Sequence, residues 1–275
     1  MGKLKNIYMT FPEGKSKVLT LSYDDGKITD RKLADILNKY GLKCTFNVNS
    51  GLIDAPYNEP YQERIPLSEY KEVYKGHEIA CHTLTHPTIA RCPDEQIVLQ
   101  AIEDRRNLES TLGTIVRGMA YPNGSFDDNV ADIFRKCGIA HARTVISTNS
   151  FGMPSDFLKW NPTCHHSNPQ LMDLADEFIS HKKTQYLVMF YLWGHSYEFE
   201  RDNNWEIIEN FAKKISGKED IWYATNIEIV DYIESYKRIK FSVDGSIAYN
   251  PNAMDIWIEV NKKSIRLPGG QYTNI

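Results

Sequence analysis

Short apolar runs alternate along the chain with segments in which apolar residues recur at helical spacing. Residues 18–23 read as a strand. Residues 31–40 then place Leu33, Ile36, Leu37 and Tyr40 on one helical face before Gly41. Segments 44–48 and 78–81 read as strands, and 95–112, between Pro93 and Gly113, is the longest helical stretch. A strand at 118–121 rests on position more than propensity. A helix over 128–137 stops at Gly138, and 142–146 is the next strand. Asn168 and Pro169 offer a cap and a first-turn proline for a helix running to Phe178. After it come a buried strand at 187–192, a helix at 205–215, a strand at 221–224 and a last long helix at 227–236.

Repeated strand–helix units without a dinucleotide-binding glycine fingerprint predict an α/β fold, a mostly parallel sheet curled into a barrel. Beyond Lys240 the pattern changes to short β runs at 241–243, 255–260 and 264–267, with a turn at 250–252. The expected organisation is therefore a barrel over 1–237 with an appended β-strand segment, 238–275, packed on it.

A chain of 275 residues is long enough for one large core, and a net charge of -4 with 25% charged residues is an ordinary globular balance. No basic stripe suggests nucleic acid. Residues 1–10 lack the apolar core of a secretion signal, and no run approaches a membrane span. A cytoplasmic protein is expected, without nucleic-acid or membrane partners and monomeric or weakly homo-oligomeric. The cysteines Cys44, Cys81, Cys92, Cys137 and Cys164 are odd in number and form no CxxC pair, which favours a reducing compartment. Cys81 on a strand faces away from its neighbour His82 and reads as a core residue.

Asp24 and Asp25 end the first buried run, where isolated charges are costly and paired or metal-bound ones are tolerated. The bland reading is an Asp-Gly turn with Gly26, which leaves two adjacent acids unexplained. His82 and His86 lie four apart, and with Asp25 as an oxygen donor they make a ligand set for Zn²⁺, Co²⁺ or Fe²⁺. Residue 83 is Thr and Pro87 follows His86, so this is not an HExxH zinc helix. His195 is delivered from the strand at 187–192 through Trp193-Gly194, either to the active face or as a capping histidine. Trp193 and Tyr197 form either a sugar-stacking wall or ordinary core. His77 reads as a turn or surface residue. His141, His165 and His166 follow no ligand spacing; 165–166 reads either as a segment near the site or, by default, as a solvated loop. The Pro- and Tyr-rich stretch 55–66 is a loop suited to shaping access.

The order Ser22-Tyr-Asp-Asp-Gly26, His82-Thr-Leu-Thr-His86, Tyr121-Pro-Asn-Gly124 and Leu192-Trp-Gly-His195 resembles the polysaccharide deacetylase family, also called NodB-homology or carbohydrate esterase 4. The resemblance spans most of 15–235. It implies a distorted (β/α) barrel and metal-dependent hydrolysis of an acetyl amide or ester on a carbohydrate. By position it implies Asp24 as general base, Asp25, His82 and His86 as ligands of one divalent ion, the Asn123 backbone N–H as oxyanion donor and His195 as general acid. The ion expected is zinc, with cobalt, nickel or iron as alternatives. Where the family motif carries an arginine that orients the base, this chain has Ala120; Arg143 is the candidate replacement, with Arg117 a weaker one. The family's tryptophan motif has no clean counterpart, although Trp160 is available. Two other activities remain open: hydrolysis of a small non-sugar amide at the same site, and non-catalytic carbohydrate binding.

Overall fold

Strand β2 (Lys17–Asp24) is buried along its whole length, and the pleat sorts its side chains into two environments. Leu19, Leu21 and Tyr23 join the large apolar cluster that also holds Leu33 and Leu37 of helix α1 (Asp30–Lys39). Each such leucine, removed from water, contributes about 1.5–3 kcal/mol. Thr20, Ser22 and Asp24 face the other way, into a polar interior. There Thr20 Oγ1 donates to Asn226 at 2.8 Å and Ser22 Oγ accepts from Asn47 at 2.7 Å. A strand buried on both sides thus carries a row of polar groups that rises to a carboxylate at its C-terminal end.

The computed structural model describes residues 4–275. Met1, Gly2 and Lys3, part of the segment read against a secretion signal, lie outside the described residues. Parallel to β2 run β3 (Cys44–Val48), β4 (Glu78–Cys81), β5 (Gly118–Ala120), β6 (His141–Arg143), β7 (Cys164–His165), β8 (Val188–Gly194) and β9 (Ile221–Tyr223). The sheet order is β6-β5-β4-β3-β2-β8-β7. On one edge β2 holds β9 along 17–19 and β3 along 21–24; on the other it holds β8. The curled sheet does not close by a regular ladder, and a lone bridge, Arg143 to Trp160, spans the gap between its two ends. The result is a distorted half-barrel with helices packed outside it.

Several elements differ from the sequence reading for local reasons. The helix expected from Asn168 begins later, as α5 (Leu171–Ser180), because Asn168 Oδ1 accepts from Gln170 N at 2.9 Å and makes a separate turn. The strand expected over 142–146 ends at Arg143, where Thr144 Oγ1 accepts from Ile146 N at 3.2 Å and bends the chain away. A short helix, α6 (Ser196–Arg201), follows His195 directly. The β extension is larger than expected. Strand β1 (Ile7–Thr10) pairs antiparallel with β12 (Ile256–Val260), which pairs with β13 (Lys263–Leu267). Strands β10 (Lys240–Phe241), β11 (Ile247–Tyr249) and β14 (Tyr272–Asn274) form a second small sheet. Ile256, Ile258 and Val260 share a core with Phe11 and with Ile229 and Tyr232 of helix α8 (Asn226–Tyr236). No helix among the described residues is long and apolar enough to cross a membrane.

Candidate metal and catalytic site

The C-terminal ends of β2, β4 and β8 bring Asp24, Asp25, His82, His86 and His195 to one rim of the sheet. His82 Nε2 and His86 Nε2 lie 3.9 and 3.7 Å from Asp25 Oδ1, so one carboxylate oxygen and two imidazole nitrogens surround a common point. His82 Nδ1 lies 2.8 Å from the Ala120 carbonyl. That contact takes the ring proton, leaves the Nε2 lone pair toward Asp25, and fits a metal ligand. Burial pushes the His82 pKa down to about 4, which keeps the ring neutral. The donor set therefore suits a divalent ion, with sides remaining for water and substrate.

The backbone around this point is unusual. Asp25, Thr83, His86 and Asn123 all have positive φ, at 82°, 62°, 57° and 56°. For a β-branched residue such as Thr83 that conformation is costly. It is held by Thr83 Oγ1, which accepts from His86 N at 3.2 Å, and by Asn49, whose side-chain amide donates to Thr83 O at 2.8 Å. Asp104, on helix α3 (Asp94–Leu112), accepts from Ser50 N at 2.8 Å and from His82 N at 3.1 Å, tying the loops after β3 and β4 to one helix.

Asp24 is 2% exposed. Burial alone would raise its pKa, yet Arg143, together with His82 and His195, brings it down to about 2. The Arg143 guanidinium donates to Asp24 Oδ2, to Ser22 Oγ at 3.2 Å and to Thr144 O at 3.0 Å, and lies over the Trp193 ring at 4.4 Å. Asn47 donates to the other Asp24 oxygen at 2.9 Å. The result is a fully ionised carboxylate locked in orientation. Arg117 instead donates to Asp231 on α8, at 2.6 and 2.8 Å.

His195 Nε2 lies 4.0 Å from Asp24 Oδ2, and its Nδ1 lies 3.4 Å from Glu198 Oε2. Burial opposes its protonation, but the Glu198 contact and the carboxylates of Asp24 and Asp25 outweigh that and raise its pKa. Glu198 also takes His165 Nε2 at 3.1 Å and His166 Nε2 at 3.2 Å; burial would raise its pKa, and the three imidazoles hold it well below the usual range. Asn123 sits in the turn after β5, where its side-chain amide reaches Thr88 at 3.5 Å.

Several residues lie elsewhere than their sequence reading. His166 is buried, not solvated: its ring stacks on Tyr23 at 5.7 Å and lies 4.1 Å from Phe199. His77 is half-buried, and its Nδ1 accepts from Cys44 N at 3.2 Å. His141 is buried against Glu78 at 2.9 Å, remote in contact from the metal group. Trp160 is wholly buried and Trp193 nearly so, beneath Arg143, which leaves Tyr197 as the part-exposed aromatic beside His195 at 5.2 Å. Loop 55–66 adjoins the site: Ile65 N donates to Gly26 O at 3.0 Å and Ile28 N to Glu63 O at 2.8 Å. Asn47, Asp104 and Glu198 were not singled out in the sequence, whereas His165, read there without a ligand spacing, stands in the Glu198 cluster. Glu198 had a signal, since it stands three residues after His195 as in a capping box, and that box is present.

A distorted parallel half-barrel with an Asp-His-His ion site at its carboxyl rim, beside a second acid paired with arginine, defines a class of metal-binding α/β barrels. Residues 12–142 of this chain match the model of the polysaccharide deacetylase family. The chain is 25% identical over 150 residues to a chitooligosaccharide deacetylase of Sinorhizobium fredii, covering 54% of this chain and 61% of that one. The chain thus spans less than two thirds of that relative. In fold it is similar to a Mycobacterium smegmatis structure assigned to the polysaccharide deacetylases, with TM-score 0.60 at 14% identity over 84% of this chain and 94% of that one. It is similar also to a family 4 acetyl xylan esterase from Clostridium thermocellum solved with a cobalt ion, with TM-score 0.52 at 16% identity over 78% and 90%. The family match ends at residue 142, so Arg143, His195 and Glu198 enter on geometry.

Proposed function

We propose that the chain is a metal-dependent hydrolase that removes an acetyl group from the amide or ester of a carbohydrate. The observation that carries this reading is a buried, arginine-paired carboxylate, Asp24, beside an Asp25–His82–His86 ion site and facing a histidine of raised pKa across 4.0 Å. Two imidazoles and one carboxylate suit zinc, with cobalt, nickel or iron as alternatives. Bound there, the ion supplies Lewis-acid activation of water and of the acetyl carbonyl.

The chain's own groups account for the protons. Asp24, ionised and fixed by Arg143 and Asn47, takes the proton from the attacking water. His195, protonated because Glu198 and Asp24 favour its cation, gives a proton to the departing amine nitrogen or sugar oxygen. The Asn123 N–H, in a turn tied by Ala120 to His82, donates to the oxyanion. Arg143 holds the base without touching substrate and takes the part of the arginine that Ala120 displaces. In this reading 1–237 form the hydrolase and 238–275 an appended element. The protein acts as a monomer or weak homo-oligomer.

The relative's activity on chitooligosaccharide supports a short acetylated saccharide. The burial of Trp160 and Trp193 favours a small acceptor, including a non-sugar acetamide, over a polymer laid along an aromatic groove. Acetate release from N-acetylchitooligosaccharides, O-acetylated xylo-oligosaccharides and simple acetamides, by zinc-loaded protein with and without chelator, tests the reading. Chelator-sensitive release from a saccharide is expected. Release from acetamides alone would replace it with the small-amide activity.

A further inference from the structure

Three imidazoles converge on one oxygen of Glu198, and two of them complete a ligand set separate from the Asp25 site. His165 Nε2 lies 3.1 Å and His195 Nδ1 3.4 Å from Glu198 Oε2, with all three donor atoms within 4.8 Å of one another. Ligands about 2.0–2.1 Å from a tetrahedral zinc ion stand roughly 3.4 Å apart, so these edges match with little movement. The scaffold is firm. His165 and Trp193 are register partners on neighbouring strands β7 and β8, and Glu198 lies in the first turn of α6. Ser167 N donates to His165 Nδ1 at 3.1 Å, so Nε2 carries the ring proton toward Glu198, and zinc at Nε2 requires that proton to move to Nδ1, where Ser167 Oγ at 2.7 Å can accept it. All three residues are part-exposed, so an ion from solvent can reach them.

We propose that His165, His195 and Glu198 form a second, inhibitory site for zinc. The consequence follows from which nitrogen is used. His195 points Nε2 at Asp24 and Nδ1 at Glu198. Zinc at Nδ1 displaces the proton there to solvent and takes Glu198 away from the ring. The remaining neutral imidazole, held by a cation, no longer assumes the protonated form that gives up its Nε2 proton. The first ion then activates and the second switches the enzyme off. The binding claim stands on the geometry alone; the inhibition rests on His195 being the acid of the proposed reaction.

Metal-free protein equilibrated against buffered free zinc, with ions counted by mass spectrometry, is expected to bind two ions per chain in sequence. His165→Ala and Glu198→Gln should bind one. His86→Ala, which removes a ligand of the first site, should still bind an ion that Glu198→Gln in the same background abolishes. That count is independent of any turnover, so it separates failure of this site from failure of the functional reading. In acetate release, wild type should rise with the first ion and fall at least tenfold with the second, whereas His165→Ala should rise without the fall. Circular dichroism of each variant checks that its fold is retained. A single ion per chain at saturating zinc overturns the proposal, as does a second ion that persists in both His165→Ala and Glu198→Gln.

Discussion

Replacing Arg143 with methionine isolates the unusual half of the site. The substitution keeps the length that packs on Trp193 and removes the charge from the oxygen of Asp24 that also faces His82 and His195. Asp24 and Arg143 are 2% and 0% exposed, so water does not replace the lost partner, and Asn47 at 2.9 Å is the remaining hydrogen-bond donor to the carboxylate. Breaking a buried pair from one side costs about 3–5 kcal/mol, because an uncompensated charge is left behind. At about 2–4 °C per kcal/mol for a large domain, Tm falls by roughly 6–20 °C. Turnover falls roughly 10²-fold or more, since the base loses both orientation and its low pKa. Zinc content stays level, because Arg143 touches none of Asp25, His82 and His86. Calorimetry of metal-free protein reads the stability term, and adding Asp24→Asn to Arg143→Met separates the pair from the packing. With the orphaned charge gone, the double variant should recover at least about 2 kcal/mol of the loss. A Tm within about 2 °C of wild type for Arg143→Met, or strict additivity in the double variant, would refute the reasoning.

Asp30 is fully buried, and its carboxyl is pushed up to about 7, chiefly by burial, while Tyr74 donates to it at 2.8 Å. Unfolded it titrates near 3.9, so between about pH 4 and 7 the native chain binds more protons than the unfolded one and stability falls as pH rises, by at most roughly 4 kcal/mol. Asp30→Asn should remove that slope, and urea unfolding at pH 5 and pH 8 reads it; an equal pH loss in both proteins would count against it. A Cβ at Gly194 would stand 2.0 Å from His166 Nδ1, in a ring that is 3% exposed. Gly194→Ala should therefore destabilise by about 1–3 kcal/mol and disturb the Glu198 cluster, seen as a shift in the His166 and His195 imidazole resonances; unshifted resonances would mean the ring has room to move.

What the sequence revealed of the fold was local. Segment 18–23 could be read as a strand because apolar residues fill every position facing the helices, and Leu33 and Leu37 declared a buried helical face. The strands β1, β7, β11 and β14 were missed because their partners are distant: Ile7 pairs with Val260, and a two-residue strand such as Cys164–His165 has no periodicity to detect. Asn168-Pro169 misled because an Asn that caps its own turn looks the same in sequence as one that caps a helix. For the site, polar residues at the ends of apolar runs marked Asp24, Asp25, His82, His86 and His195, which the fold gathers on one rim. The same signal at Asn47 and Asn49, ending the run at 44–48, went unread. His166 reads as a loop residue in the sequence because its burial comes from Tyr23 and Phe199, one of them far away in the chain.

The account's central claim is that Asp24 moves a proton while Asp25, His82 and His86 hold the ion. Asp24→Asn, loaded with zinc and assayed for acetate release beside its metal content, tests both halves at once. Asn keeps the shape and the contact with Asn47 but cannot take a proton. The account predicts one tightly held ion at the Asp25 site with turnover lowered roughly 10²- to 10⁴-fold. Turnover equal to wild type, or loss of that ion with the base, would contradict it.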